Sequence, residues 1–256
     1  MLVLLPPSEG KTPAPDDAAP LDLEALHHPG LNPWRRKVLD ALAAVSARPD
    51  AARVLGLGPS SAAEAERNLR LPEAPAEQAR RVYTGVLYAA AGLDSLEGAA
   101  LARAEGHVRV VSALWGLLAP TDRVPAYRLS MGVRLPGLGP LAGVWRGPLA
   151  DELDEEVPGR LVVDCRSADY AAAWRPPRTA GDWVGVRVVR GGRVVSHHAK
   201  HARGLLVGHL CRRPGAVPED AEGLLAAARE MLDGHVLGAR IVPGTGRQVL
   251  LELEVG

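Results

Sequence analysis

The sequence predicts a mixed α/β (α+β) fold: one compact body, a mixed β-sheet flanked by helices, with a helical subdomain at about residues 34–105. Three observations carry this expectation. Short apolar runs punctuate the chain and read as buried strands, while longer stretches with a 3.6-residue apolar period read as helices. The two kinds of segment are interleaved without regular βαβ alternation, which favours a mixed sheet. At 256 residues the chain is ample for a substantial core, and residues 1–256 are expected to form a single domain.

Taken in order, MLVLL (1–5) reads as a buried strand, and the Pro-, Asp- and Ala-rich stretch 12–33 as an excursion or lid. WRRKVLDALAAV (34–45) has helical periodicity through Val38, Leu39, Leu42 and Val45. Segments 60–71 and 76–91 read as two further helices. HVRVVSALWG (107–116) opens as a strand and enters a turn, and RLVVDC (160–165) is a second buried strand followed by the helix-like SADYAAAW. Gly191-Gly192 joins two strand-like segments as a two-residue hairpin turn. A helix is predicted from Ala199 to Arg212, another from Pro218 to about Leu232, and a final hairpin closes the chain.

Composition narrows the classes of function. Apolar residues make up 47% and charged residues 23%, ordinary for a globular protein, and the formal net charge is zero. Any anion binding must therefore come from a local patch. Cys165 and Cys211 have no CxxC or metal spacing, which points to buried thiols in a reducing compartment. Pro6-Pro7 cuts the N-terminal apolar run too short for a secretion signal, and no stretch approaches the ~20 apolar residues of a membrane span. The expectation is a soluble, cytoplasmic protein without a membrane partner. Lysine occurs only at Lys11, Lys37 and Lys200, so each retained lysine is a candidate for a role that arginine cannot fill.

Four stretches carry candidate chemistry. LLPPSEGKT (4–12) ends like a phosphate-binding P-loop, but Leu5 stands where the first glycine belongs, and Pro6 and Pro7 offer no N–H to a phosphate. RVLGLGPSSAAEAERNL (53–69) matches a helix-hairpin-helix pattern. In it Gly56 and Gly58 form the corner, Ser60 caps the second helix, and Arg53, Arg67 and Arg70 supply charge around a backbone phosphate. A plain interhelical turn is the alternative. VVSHHAKHARGLL (194–206) places His198, Lys200, His201 and Arg203 at a helix start, where cations oppose the helix dipole unless an anion or a carboxylate compensates. The histidines lack a carboxylate at metal spacing, so no metal site is expected. LWGLLAPTDRVPAYRLSMG (114–132) carries Asp122, Tyr127 and Arg128 in an irregular segment, with Asp122 a candidate partner for Arg128 or for a lysine. Finally, Ser167 follows a strand that ends near Asp164 and caps a helix holding Asp169 and Tyr170.

In this order the motifs resemble the YaaA family of bacterial peroxide-stress proteins. LPPSEGKT answers the family's S-P-A-K-T; VYTG (82–85) and LWGLLAPTDRVPAYRLSMGVRL answer its central block; RSADY and HHAKHARGL answer A-S-x-E-Y and Y-A-K-x-A-R-G. The resemblance spans nearly the whole chain. It implies an α/β body with a helix-hairpin-helix element, binding of duplex and distorted DNA, and a role in limiting free iron and Fenton damage. The chain departs from the family pattern in its longer spacing before Lys11, in Ser130 where the pattern has Glu, and in His197 and His198 where it has aromatic residues.

Two classes of function follow. One is a non-enzymatic stress protein that holds double-stranded DNA, without sequence preference, through Arg53, Gly56, Gly58, Ser60, Lys200 and Arg203. The other is an enzyme or small-molecule binder whose Lys11, Asp122, Tyr127, Arg128, Ser167 and Lys200 converge on a pocket for a small anionic or nucleotide-like ligand. No cofactor is implied by either.

Overall fold

The apolar run at the N-terminus forms an interior strand of the main sheet. A computed structural model describes residues 1–195, 199–232 and 235–256. The strands are β1 (Leu2–Leu5), β2 (Glu77–Gln78), β3 (Val108–Ser112), β4 (Gly116–Leu118), β5 (Arg123–Val124), β6 (Arg134–Leu135), β7 (Gly139–Pro140), β8 (Val162–Asp164), β9 (Trp183–Arg190), β10 (Arg193–Val194), β11 (Val236–Pro243) and β12 (Val249–Val255). The helices are α1 (Asn32–Ser46), α2 (Ala51–Val54), α3 (Ala79–Val82), α4 (Val86–Ala91), α5 (Gly98–His107), α6 (Leu141–Leu153), α7 (Ala168–Ala171), α8 (Ala199–Arg212) and α9 (Ala221–Arg229).

The main sheet has eight strands in the order β11-β12-β9-β8-β1-β3-β4, with β10 paired on β9. β1 runs parallel to β3 and β8, and β9 parallel to β8 and β12; β4, β10 and β11 are antiparallel additions. All four residues of β1 are buried, as a central parallel strand covered on both faces requires. The sheet is therefore mixed, as expected. Gly191 and Gly192 both have positive φ, the geometry of a type I′ turn, and they join β9 to β10.

The stretch 34–105 is largely helical, and its apolar residues (Val38, Leu42, Leu71, Val82) belong to the same buried cluster as the sheet. Two expectations are corrected here. Segment 60–71 runs as 3-10 turns, Pro59–Arg70, not as an α-helix. The single helix expected over 76–91 is broken into β2, α3 and α4. Tyr83 is extended there, bridged to Lys11, and the Thr12 N–H donates to the Val82 carbonyl at 2.9 Å. The N-terminal loop thus splits a segment whose local pattern is helical. α6 had no signal in the sequence, because Gly143, Gly147 and Pro148 obscure its period. No helix among the described residues is long and apolar enough to cross a membrane.

Candidate active site and arginine-lined cleft

The carboxyl ends of β1, β3 and β8 lie side by side, the usual place for a ligand crevice in a parallel sheet. Leaving β1, the chain passes Pro6, whose carbonyl accepts the Tyr88 hydroxyl at 2.8 Å. It then turns at Ser8, whose Oγ accepts the Thr84 N–H at 3.1 Å and donates to the Gly10 carbonyl at 2.5 Å. The turn needs Gly85 opposite, since a Cβ there would lie 2.8 Å from the Ser8 Cβ.

This turn aims Lys11 inward. Its Nζ donates to the carbonyls of Ser8 (2.7 Å) and Glu9 (3.3 Å), and lies 4.3 Å from the ring centroid of Tyr127 and 5.6 Å from that of Tyr83. Among the described residues it has no carboxylate within ion-pair distance. Burial, reinforced by the Arg128 guanidinium, presses the amine down to about 7, against the weaker pull of Glu64 and Glu9. The aromatic floor is itself pinned. Ser112 Oγ accepts the N–H groups of Leu114 (3.2 Å) and Trp115 (3.0 Å), which leaves its own proton for the Tyr127 oxygen at 2.7 Å. Tyr127 and Tyr83 meet hydroxyl to hydroxyl at 3.1 Å.

Arg128 stands beside Lys11, the two side chains sharing the Glu9 carbonyl as acceptor. The buried Asn68 amide clamps its backbone, accepting the Arg128 N–H and donating to its carbonyl, both at 2.9 Å. The guanidinium faces Glu9 at 3.5 Å and Glu64 at 3.4 Å, longer than tight charge-assisted contacts. On its outer side opens a cleft of about 510 Å³ lined by Arg53, Gly56, Arg128, Gly132, Arg134 and Glu9. Three arginines and one glutamate line it; Arg53 and Arg128 face carboxylates, and Arg134 has no ion pair among the described residues.

Gly56 shapes the far wall. It ends α2 with φ +67°, its N–H donating to Arg53 O while the Leu57 N–H donates to Ala52 O, a Schellman cap that only glycine makes without strain. Gly58 is extended (φ −75°), with open space around it, so nothing there demands glycine. Ser60 is exposed on the 3-10 run, and Arg53 is ion-paired to Asp50, which also holds Arg48. Arg67 and Arg70 are exposed, with no ion pair among the described residues.

The remaining candidates are dispersed. Asp122 is buried and turned away: one oxygen takes the His27 N–H and Nδ1, each at 2.9 Å, and the other the Ala119 N–H at 2.8 Å. The pairing considered for it with Arg128 or a lysine is absent, because this carboxylate fastens the 12–33 excursion to the 119–122 turn. Ser167 sits exposed at the start of α7, without a side-chain cap bond. Lys200 and Arg203 line a separate hollow with Asp164 and Arg187, and Arg203 places Nε and Nη2 on the Val186 carbonyl. His197 and His198 lie outside the described residues. Sequence reasoning missed Tyr83, Ser112, Asn68, Glu64 and Arg134; Tyr83 was hidden inside the segment read as one helix.

Comparison with known proteins follows the same residues. The family model for the peroxide stress protein YaaA matches residues 1–228. The chain belongs to the YaaA family. It is 43% identical to the UPF0246 protein SCO2297 of Streptomyces coelicolor over the whole of this chain and 98% of that protein. It is 37% identical to the UPF0246 protein CE1889 of Corynebacterium efficiens, over 84% of this chain and 86% of that one. In this YaaA-family chain the match covers the Lys11 turn, the Gly56 corner and the Arg128 segment together.

Proposed function

We propose that this chain acts in the peroxide-stress response by holding double-stranded DNA through its backbone phosphates, which limits iron-dependent damage to that DNA. The observation that carries the reading is the cleft itself, where three arginines (Arg53, Arg128 and Arg134) and the Gly56 corner line one opening. Exposed Arg67 and Arg70 on the adjoining 3-10 run extend the basic track. Neutralising phosphates releases their condensed cations, and loosely bound ferrous iron would leave with them. Hydroxyl radicals would then form away from the sugar.

The test is a salt titration of duplex binding with wild-type protein and Gly58→Glu. This position has open space and an ordinary φ, so the substitution adds charge without strain. Binding should weaken steeply with salt, and Gly58→Glu should lose at least about tenfold in affinity. Equal affinity for the two proteins would remove the corner from the mechanism.

A second reading, a pocket acting on a small anionic substrate, is favoured by one observation: an amine held near 7 beside an arginine whose carboxylate contacts are loose.

A further inference from the structure

We propose that Lys11 is a nucleophilic amine that condenses with an aldehyde carried next to a phosphate: the ring-opened deoxyribose of an abasic site in DNA held in the cleft. This rests on the DNA reading above and adds a covalent chemistry to it.

Three features of the site converge on it. First, Lys11 is kept from ion pairing: Glu9 and Glu64 point their carboxylates at Arg128, so among the described residues Nζ meets only two carbonyl oxygens and the faces of two aromatic rings. A lysine against an apolar wall and beside a second cation is the arrangement that produces imine-forming amines. Burial and Arg128 leave a substantial share of it neutral at physiological pH. Second, Nζ stands one carbonyl away from the cleft: it and the Arg128 Nη1 both donate to Glu9 O at 3.3 Å. A phosphate that displaces the loose glutamate contacts of Arg128 would bring its own sugar to the amine. Third, the described residues lining the cleft include the aliphatic Val54, Leu55, Leu57 and Val133 but no aromatic ring on which an extruded base could stack. A sugar without a base needs no stacking partner and costs least to extrude.

The step balances without a cofactor. The Nζ lone pair attacks C1′, the C–N bond forms as the carbonyl pair moves to oxygen, and a proton passes from nitrogen to that oxygen. Loss of water then leaves the imine, and hydrolysis reverses it.

The experiment incubates the full-length protein with cyanoborohydride and a labelled duplex bearing either an abasic aldehyde or its tetrahydrofuran analogue, which has no aldehyde. Adducts are read on denaturing gels and mapped by peptide mass spectrometry. Binding of the tetrahydrofuran duplex is measured separately by anisotropy, and glyceraldehyde 3-phosphate serves as the small phosphorylated aldehyde. The expected result is an adduct at Lys11 with the abasic duplex, none with the analogue, and at least a hundredfold less in Lys11→Arg. Mapping in the wild-type protein needs no variant, so the outcome does not hang on whether Lys11→Arg folds. An adduct mapped only to Lys37, Lys200 or the N-terminus overturns the proposal, as does one formed with glyceraldehyde 3-phosphate but not with DNA. No adduct from a duplex that binds overturns it and leaves the DNA reading standing. No binding of either duplex overturns both.

Discussion

The Lys11 amine and the Arg128 guanidinium donate to one acceptor, the Glu9 carbonyl, each at 3.3 Å. Two cations this close disfavour each other's charge, and arginine, which does not give up its proton at ordinary pH, leaves lysine to yield. In protein carrying 13C-dimethylated lysines, one of the three lysine resonances should therefore titrate near pH 7, and Arg128→Gln should move it upward. If none titrates below about pH 9.5, the buried-amine argument is lost.

The same amine couples stability to pH. Its folded value of about 7 lies below the ordinary 10.5, so between these limits the unfolded chain binds a proton that the folded one does not. Stability gains from the amine as pH rises through that window, and the burden of the buried ammonium is complete below it. Lys11→Met should stabilise the protein at pH 6 by about 1–2 kcal/mol, allowing for partial solvent access, and this gain should shrink towards pH 10. Urea unfolding at the two pH values measures it; a gain independent of pH would point to packing alone.

Arg35 is a fully buried arginine that fastens three parts of the chain. Nε donates to Trp115 O (3.0 Å), Nη1 to Asn32 Oδ1 (2.7 Å), and Nη2 to the carbonyls of His27 (2.8 Å) and Leu117 (2.9 Å). Burial lowers its pKa to about 10, a shift opposed by Asp122, Glu152 and Glu24. Arg35→Lys keeps the charge but loses the fork, and should cost about 2–4 kcal/mol by orphaning carbonyls in the 115–117 turn. Chemical denaturation decides it: a loss under about 0.5 kcal/mol would show that the turn holds without the clamp.

Neither cysteine is equipped to sense peroxide. Burial pushes the Cys165 thiol up to about 12 and the Cys211 thiol up to about 11, and thiolate is the form that reacts. Native protein at pH 7.5 should show almost no reaction with Ellman's reagent or hydrogen peroxide, and both thiols should react after unfolding. Rapid labelling of the native protein would reopen the question of a redox role.

Local signals were legible where local physics decides. The paired glycines gave the I′ turn between β9 and β10, and the helix read from Ala199 to Arg212 is α8 at its observed ends. Lys11 stood out as one of three lysines in an arginine-rich chain, and Arg128 as a forked cation in an irregular segment. Their meeting was not legible, because it is made by Ser8, Thr84 and Gly85, whose contacts join the N-terminal turn to the break before α4. That break is a tertiary effect overriding helical propensity at Tyr83. Asp122 misled for a similar reason. A carboxylate beside Arg128 in sequence spends its oxygens on His27 and Ala119, at the other end of a loop whose course no spacing reveals. Lys200 and Arg203 share the cationic chemistry but sit in another hollow, since α8 follows β10 and not β1.

Helix α8 reaches the site through its glycines. A Cβ on Gly204 would meet the Leu87 carbonyl oxygen and lie 2.7 Å from the Ala90 Cβ, so α8 approaches α4 as closely as backbone allows. α4 in turn begins at Gly85, against Ser8 of the Lys11 turn. Gly204→Ala should therefore cost about 1–3 kcal/mol by overpacking, even though alanine is the better helix former, with α4 pushed outward. The displacement should also loosen the Ser8 contact and admit water to Lys11, returning its titration towards the ordinary lysine range. Thermal unfolding and the lysine resonance test the two effects separately. A destabilised variant whose Lys11 still titrates near 7 would show that the turn is held from β1 alone, and not through α4.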